Sequence, residues 1–321
     1  MARSGGLFRG RRWIAGPIVM IVQGSCIAPA APPPPSAAVP AGAARTPDAG
    51  RPAGQSRLAP PRQSLIQTGF AYSGPMVQGG TVIGTAPAGT SLLSFDGVSI
   101  PVAPDGRFLI AFDRDAPASA TLVATLGNGQ TVTDTLSVAR RAWNIERLAS
   151  LPRFAQPSEE FNRLRPAEIE AINAARRINA VSDGWRQNFL WPAIGRLSGM
   201  FGSQRIYKNG EAGAYHSGTD IAQPAGTPVI APADGVVILA ADHPFLLEGN
   251  LLMIDHGMGL NSAFLHLSRI DVKVGDHVQR GQRIGAVGMT GRATGPHLHW
   301  SLKWRDSRID PLLLAGPMPV G

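Results

Sequence analysis

The chain has a single cysteine, Cys26, among its 321 residues. That excludes an intrachain disulfide framework and a cysteine-built zinc ribbon. No acidic residue precedes Asp48, and no histidine precedes His216. No apolar run reaches the roughly 20 residues that a membrane-spanning helix needs. Charged residues are scarce at 16%, but apolar ones make up 44%, which allows a buried core and excludes wholesale disorder. The length suggests about two domains plus connecting segments.

The net charge of +8 would suit a nucleic-acid partner if it sat on a folded surface. It does not. Residues 1–26 carry +4 and residues 27–64 carry +3, whereas 65–189 are balanced and 190–321 carry +1. No nucleic-acid partner is therefore expected. A basic linker suits a polyanionic membrane or wall instead.

Residues 1–26 read as a secretory signal. Arg3, Arg9, Arg11 and Arg12 precede an apolar run from Trp13 to Val22, with small residues after it. Two processing routes fit. Cys26 is placed like the lipid-modified cysteine of bacterial lipoproteins, which would anchor the chain to a membrane, although Gln23 departs from the aliphatic residue usual in that motif. A cut after Ala28-Pro29-Ala30 is the other route. Either way the expected location is outside the cytoplasm, in the periplasm or cell envelope. Residues 27–64 are Pro, Ala, Gly and Arg, too poor in large apolar groups to fold, and read as an extended linker.

Residues 65–140 change character. Thr81-Val82-Ile83, Leu92 to Phe95, Phe108 to Phe112 and Thr131-Val132-Thr133 read as strands, punctuated by the turn pairs Asp96-Gly97, Asp105-Gly106 and Asn128-Gly129. A small β-sandwich-like domain is expected, without catalytic side chains, acting as a spacer or docking module. Residues 141–190 form a connector with a helix over 158–181. Ser158 caps it, Glu159 and Glu160 follow, Pro166 suits a first helical position, and Arg176 and Arg177 come late. From Trp191 to about 315 the chain is glycine-rich and β-like. The fold class expected is mainly β: a sandwich-like domain, a helical connector and a C-terminal antiparallel β domain.

All seven histidines fall between His216 and His299, so chemistry belongs in this last domain. In His216-Ser217-Gly218-Thr219-Asp220 the two end residues are too far apart on a straight strand, about 13 Å, to share one metal. A bend at Ser217-Gly218 would bring them together. In Gly295-Pro296-His297-Leu298-His299 the two imidazoles share one strand face roughly 7 Å apart, so one can ligate a metal while the other stands beside it. Two histidines and one carboxylate would leave a coordination position open for water, the pattern of catalytic zinc sites. Further imidazoles could then serve as general base or stabilise an oxyanion. In Phe264-Leu265-His266-Leu267, strand alternation would point His266 to the face opposite Leu265 and Leu267. His256 reads as structural, and His243 and His277 as solvated surface. Residues 203–215 read as a loop on the rim of the site.

Further motifs accompany these: Gly226-Thr227-Pro228-Val229, Ala231-Pro232, Asp234-Gly235-Val236, Ile254-Asp255-His256-Gly257, Val274-Gly275-Asp276, Gly281-Gln282 with Ile284-Gly285, and Thr290-Gly291 with Thr294-Gly295. With them, residues 191–312 resemble the LytM/lysostaphin-type zinc endopeptidases of bacterial cell walls. The resemblance implies one zinc ion per chain on His216, Asp220 and His299, with His266 and His297 as catalytic imidazoles in a long groove. It implies peptidoglycan as substrate, cut at a peptide bond of a stem peptide or cross-link. Some family members have lost ligands and act only as activators of other wall hydrolases. Every motif position is intact here. A second likeness, of Val272 to Gly285 to the hairpin of biotinyl and lipoyl carriers, lacks the lysine such a hairpin tip requires. No protein partner is named by the sequence.

Overall fold

The computed structural model describes residues 68–148, 158–208 and 210–319. The expected signal sequence, with Cys26, and the expected linker lie outside the described residues. Among those described, no helix is long and apolar enough to cross a membrane.

The first seven strands are β1 (Ala71–Ser73), β2 (Thr81–Thr85), β3 (Thr90–Phe95), β4 (Val98–Ile100), β5 (Arg107–Ala111), β6 (Ser119–Leu126) and β7 (Thr131–Ser137). They make two antiparallel sheets, ordered β1-β2-β5 and β4-β3-β6-β7. The turn chemistry explains the hairpins. Asp96 and Gly97, between β3 and β4, both take positive φ, 47° and 80°, as a two-residue hairpin turn demands. Val82, Phe108, Ile110, Leu93, Leu122 and Ala124 fill the space between the sheets. These two sheets share one hydrophobic core with the strands that follow, with the Phe95 and Trp304 ring centroids 5.9 Å apart, and residues 63–321 form one compact unit.

The connector holds β8 (Ile145–Arg147) and α1 (Glu159–Arg176). Ser158 Oγ accepts the Phe161 N–H at 3.1 Å, the expected cap. The helix ends five residues earlier than its sequence suggested. Pro166 lies inside it rather than at its first position, because the first turn is already fixed by the Ser158 cap. Its inner face, Ile172 and Ala175, buries against the second domain.

That domain contains β9 (Arg196–Gly199), β10 (Gln204–Ile206), β11 (Thr219–Ala222), β12 (Pro228–Ile230), β13 (Gly235–Ala240), β14 (Asn250–Asp255), β15 (Leu260–Leu267), β16 (Arg269–Ile270), β17 (His277–Val278), β18 (Arg283–Ala286), β19 (His297–Trp304) and β20 (Ser307–Ile309), then α2 (Pro311–Ala315). The main sheet runs β17-β13-β14-β15-β19-β11-β9, with β20 also on β19, and β12-β18-β16 form a smaller sheet. Strand alternation gives the main sheet two unlike faces. Leu252, Ile254, Phe264, Leu298, Trp300 and Leu302 pack into the dry core. Leu251, Met253, Ala263 and Leu265 point the other way, beneath α1. On that second face, where α1 no longer covers the sheet, the histidines emerge.

Candidate metal centre

Three adjacent strands build the site. Asp220 on β11 pairs directly with His299 on β19, and His299 pairs with Leu265 on β15. Directly paired residues share a face, so register alone sets Asp220 beside His299. His216 lies just before β11. Its backbone is held by His216 N–H to Ser203 O at 2.8 Å and Gly202 N–H to His216 O at 2.9 Å. The chain then turns at Ser217-Gly218, as expected. Gly218 is required there, since a Cβ would stand 2.4 Å from the Trp300 carbonyl oxygen and 2.8 Å from His299 Nε2. Gly199 is equally constrained, because a Cβ would meet Asp220 Oδ2 at 2.3 Å.

Three donor atoms converge. His216 Nε2 is 3.1 Å from Asp220 Oδ1 and 3.1 Å from His299 Nδ1, and His299 Nδ1 is 2.8 Å from Asp220 Oδ1. Ligand atoms on a tetrahedral zinc, at bond lengths of about 2.1 Å, would stand about 3.4 Å apart. Two imidazole nitrogens and a carboxylate oxygen at nearly that spacing fit a metal ion, and the three residues can hold one. The far nitrogen of His216 supports this: Nδ1–H donates to the Met200 carbonyl at 3.1 Å, so Nε2 is the nitrogen that faces the cluster. Burial alone would raise the Asp220 carboxyl, but the hydrogen bonds from His216 and His299 outweigh it and hold Asp220 well below the usual carboxylate range. Burial pushes His299 down toward its neutral form.

The other two imidazoles stand alongside. The His266 and His297 ring centroids are 4.8 Å apart, and His266 is 6.3 Å from His299. His297 Nε2 lies 3.8 Å from Asp220 Oδ1. His297 and His299 share one strand face, as their spacing suggested. His266 reaches the site by another route than simple alternation. Between the pairs Asn250–Leu267 and Leu252–Phe264, two residues of β15 oppose the single Leu251, a β-bulge. His266 sits in that bulge with φ at +64°, a conformation unusual for a side chain with a Cβ. Consequently His266 faces the same side as Leu265, and only Leu267 turns to the core. Without the bulge, His266 would point into the dry face. Its Nδ1–H donates to the Thr290 carbonyl at 2.8 Å, and Nε2 is left to face the cluster. Burial lowers its pKa to about 4.

The remaining histidines lie apart. His256 is fully buried, and His243 and His277 are exposed. The rim loop 203–215 contains β10, which pairs in parallel with β8. Arg114 of the first domain anchors it, donating to Gly202 O at 3.1 Å and to Gln204 Oε1 at 3.2 Å. Sequence reasoning missed Gly199, and it missed the carbonyls of Met200 and Thr290 that orient two imidazoles. A backbone acceptor leaves no residue-type signal.

The model of peptidase family M23 matches residues 214–311, which include His216, Asp220, His266, His297 and His299. Among curated proteins, the chain is 45% identical over 123 residues to peptidoglycan DD-endopeptidase ShyA of Vibrio cholerae, covering 38% of this chain and 28% of that protein. It is 45% identical over 97 residues to ShyB of the same organism, covering 30% and 22%. The chain thus matches about a quarter of the length of these relatives. Among solved structures, a putative peptidase M23 from Pseudomonas aeruginosa is 30% identical, with a TM-score of 0.56 over 75% of this chain and 94% of that one. The likeness extends beyond the metal-binding strands to most of the described chain, and the chain belongs to peptidase family M23.

Proposed function

We propose that this chain is a zinc-dependent endopeptidase that hydrolyses peptide bonds in the stem peptides or cross-links of peptidoglycan. The observation that carries this is the convergence of His216 Nε2, Asp220 Oδ1 and His299 Nδ1 within 3.1 Å of one another. The named relatives, peptidoglycan DD-endopeptidases, support the substrate class.

His216, Asp220 and His299 hold the zinc. When bound, the ion supplies Lewis acidity and makes a water molecule more acidic. The chain's own residues supply the proton handling. His266 is neutral at pH 7 because burial disfavours its charged form. With Nδ1–H tied to the Thr290 carbonyl, its Nε2 is the lone pair that accepts a proton from the attacking water. His297, whose Nδ1 is tied to the Gly295 carbonyl at 2.8 Å, turns Nε2 to the same space. In its protonated form it donates to the oxygen that gains charge as the amide is attacked. The reading includes export to the periplasm or cell envelope, on the basis of the basic and apolar pattern of residues 1–26.

Digestion of purified peptidoglycan, with the fragments identified by mass, tests the proposal. Peptide-bond scission that chelation abolishes and zinc restores is expected. A zinc-loaded protein that cuts no peptide bond would overturn it in favour of a non-enzymatic activator of other wall hydrolases.

A further inference from the structure

The row of side chains that His297 and His299 begin does not stop at the metal centre. Residues i, i+2 and i+4 of a strand share a face. Ser301 and Lys303 therefore continue the row along β19, while Leu298, Trp300, Leu302 and Trp304 are buried on the other side. Four residues of strand put Lys303 roughly 13 Å beyond His299. Lys303 pairs directly with Arg308 on β20, which brings that residue to the same face. The last turn of α1 delivers a third cation. Arg176 acts electrostatically on Lys303 and on Arg308, and its Nε is buried with no hydrogen-bond partner among the described residues.

The acids around this cluster are few. Glu248 is already held by both guanidinium nitrogens of Arg165, at 2.6 and 2.8 Å. Asp306 lies 3.4 Å from Lys303 Nζ, but its side chain is fully exposed. Asp113 is occupied by the Arg308 backbone N–H at 2.8 Å and the Tyr215 hydroxyl at 3.1 Å. The Arg308 guanidinium lies over the Tyr215 ring, 5.2 Å from its centroid. Half-burial and the two neighbouring arginines both push the Lys303 ammonium toward its neutral form. Cations gathered with so little compensation raise one another's free energy, and a bound anion relieves it.

We propose that Arg176, Lys303 and Arg308 form a subsite that binds a carboxylate of the peptide substrate, at the far end of the groove that begins at His216, Asp220 and His299. The inference rests on the endopeptidase reading and specifies which feature of the substrate the groove recognises. An extended peptide advances about 3.3 Å per residue, so the carboxylate belongs about four residues from the scissile bond. The planar guanidinium of Arg308 suits two-point contact with a carboxylate, and Lys303 adds a point charge.

The test uses zinc-loaded full-length protein and two cross-linked muropeptide dimers, one with free carboxylates and one with those carboxylates amidated. The wild type should prefer the free form by about tenfold in kcat/KM, the size of one charge-assisted hydrogen bond, through KM. Lys303→Met and Arg308→Gln should each erase that preference while keeping zinc. Arg308 is exposed on an edge strand, so its variant keeps the question open to test if Lys303→Met fails to fold. Equal losses on both dimers, or no loss, would overturn the subsite and leave the peptidase reading standing. Calorimetric binding of the uncross-linked stem peptide separates the two ideas. If the wild type cleaves neither dimer yet binds the free-carboxylate peptide about tenfold more tightly than the variants, the subsite stands and the peptidase reading falls.

Discussion

The two faces of the main sheet come from the same strands and do opposite work. On β19, Leu298, Trp300, Leu302 and Trp304 enter the dry core, whereas His297, His299, Ser301 and Lys303 lie on the opposite face, the one that carries the candidate metal centre. The same contrast separates His256 from the site imidazoles. His256 donates from Nδ1 to the Asp234 carbonyl at 2.8 Å and accepts at Nε2 from Ser262 Oγ at 2.7 Å, so both ring nitrogens are satisfied. His266 has one nitrogen satisfied by Thr290 and the other turned to the cluster. The difference teaches that a buried histidine is structural when both its nitrogens are used internally, and available for chemistry when one is not. Stability and reactivity are therefore separable by residue parity along a single strand.

The sharpest break of this contrast is at His266. His266→Ala removes the proposed base from the groove face and should slow peptidoglycan cleavage by about 10²–10⁴-fold. Zinc content by atomic absorption should stay at the wild-type level, and the melting temperature should hardly move. Trp300→Ala strikes the other face of the same sheet. It removes a fully buried side chain that packs on Trp191, with ring centroids 5.7 Å apart. A loss of about 3–5 kcal/mol is expected, read by chemical denaturation.

Acid should act on the dry face through His256. Burial lowers its pKa to about 4, below the unfolded value of 6.5. The unfolded chain then binds a proton that the folded chain refuses. Stability is fully present above pH 6.5 and falls as pH drops toward 4, by about 3 kcal/mol over that window. Denaturation midpoints measured across the window should show this slope, and a His256→Gln variant should flatten it. The smallest effect is at the start of α1. Ser158→Ala removes the cap of α1 and should cost about 1 kcal/mol, read as faster hydrogen exchange in its first turn.

Much of the site was legible because its spacings are local. His297 and His299 share a face by strand parity, and the bend at Gly218 follows from the reach of His216 and Asp220 to one point. The position of His266 was not legible, because a bulge breaks the parity on which the reading depended. Neither was the extent of α1, where the Ser158 cap set the start and Pro166 was carried inside. The turn pairs Asp96-Gly97 and Asn128-Gly129 announced the first domain's hairpins, since positive φ selects glycine. The gathering of Arg176, Lys303 and Arg308 depends on helix-to-sheet docking across more than a hundred residues, which no local pattern encodes.

The central claim is that the groove face holds a metal on Asp220 and its two histidine neighbours and uses it to cut peptide bonds. Metal analysis of purified Asp220→Ala, paired with a peptidoglycan digest, tests it most directly. The account predicts about one zinc per wild-type chain, loss of that zinc in the variant, and loss of peptide-bond cleavage with it. A variant that kept its zinc, or cleaved peptidoglycan without any, would contradict the account.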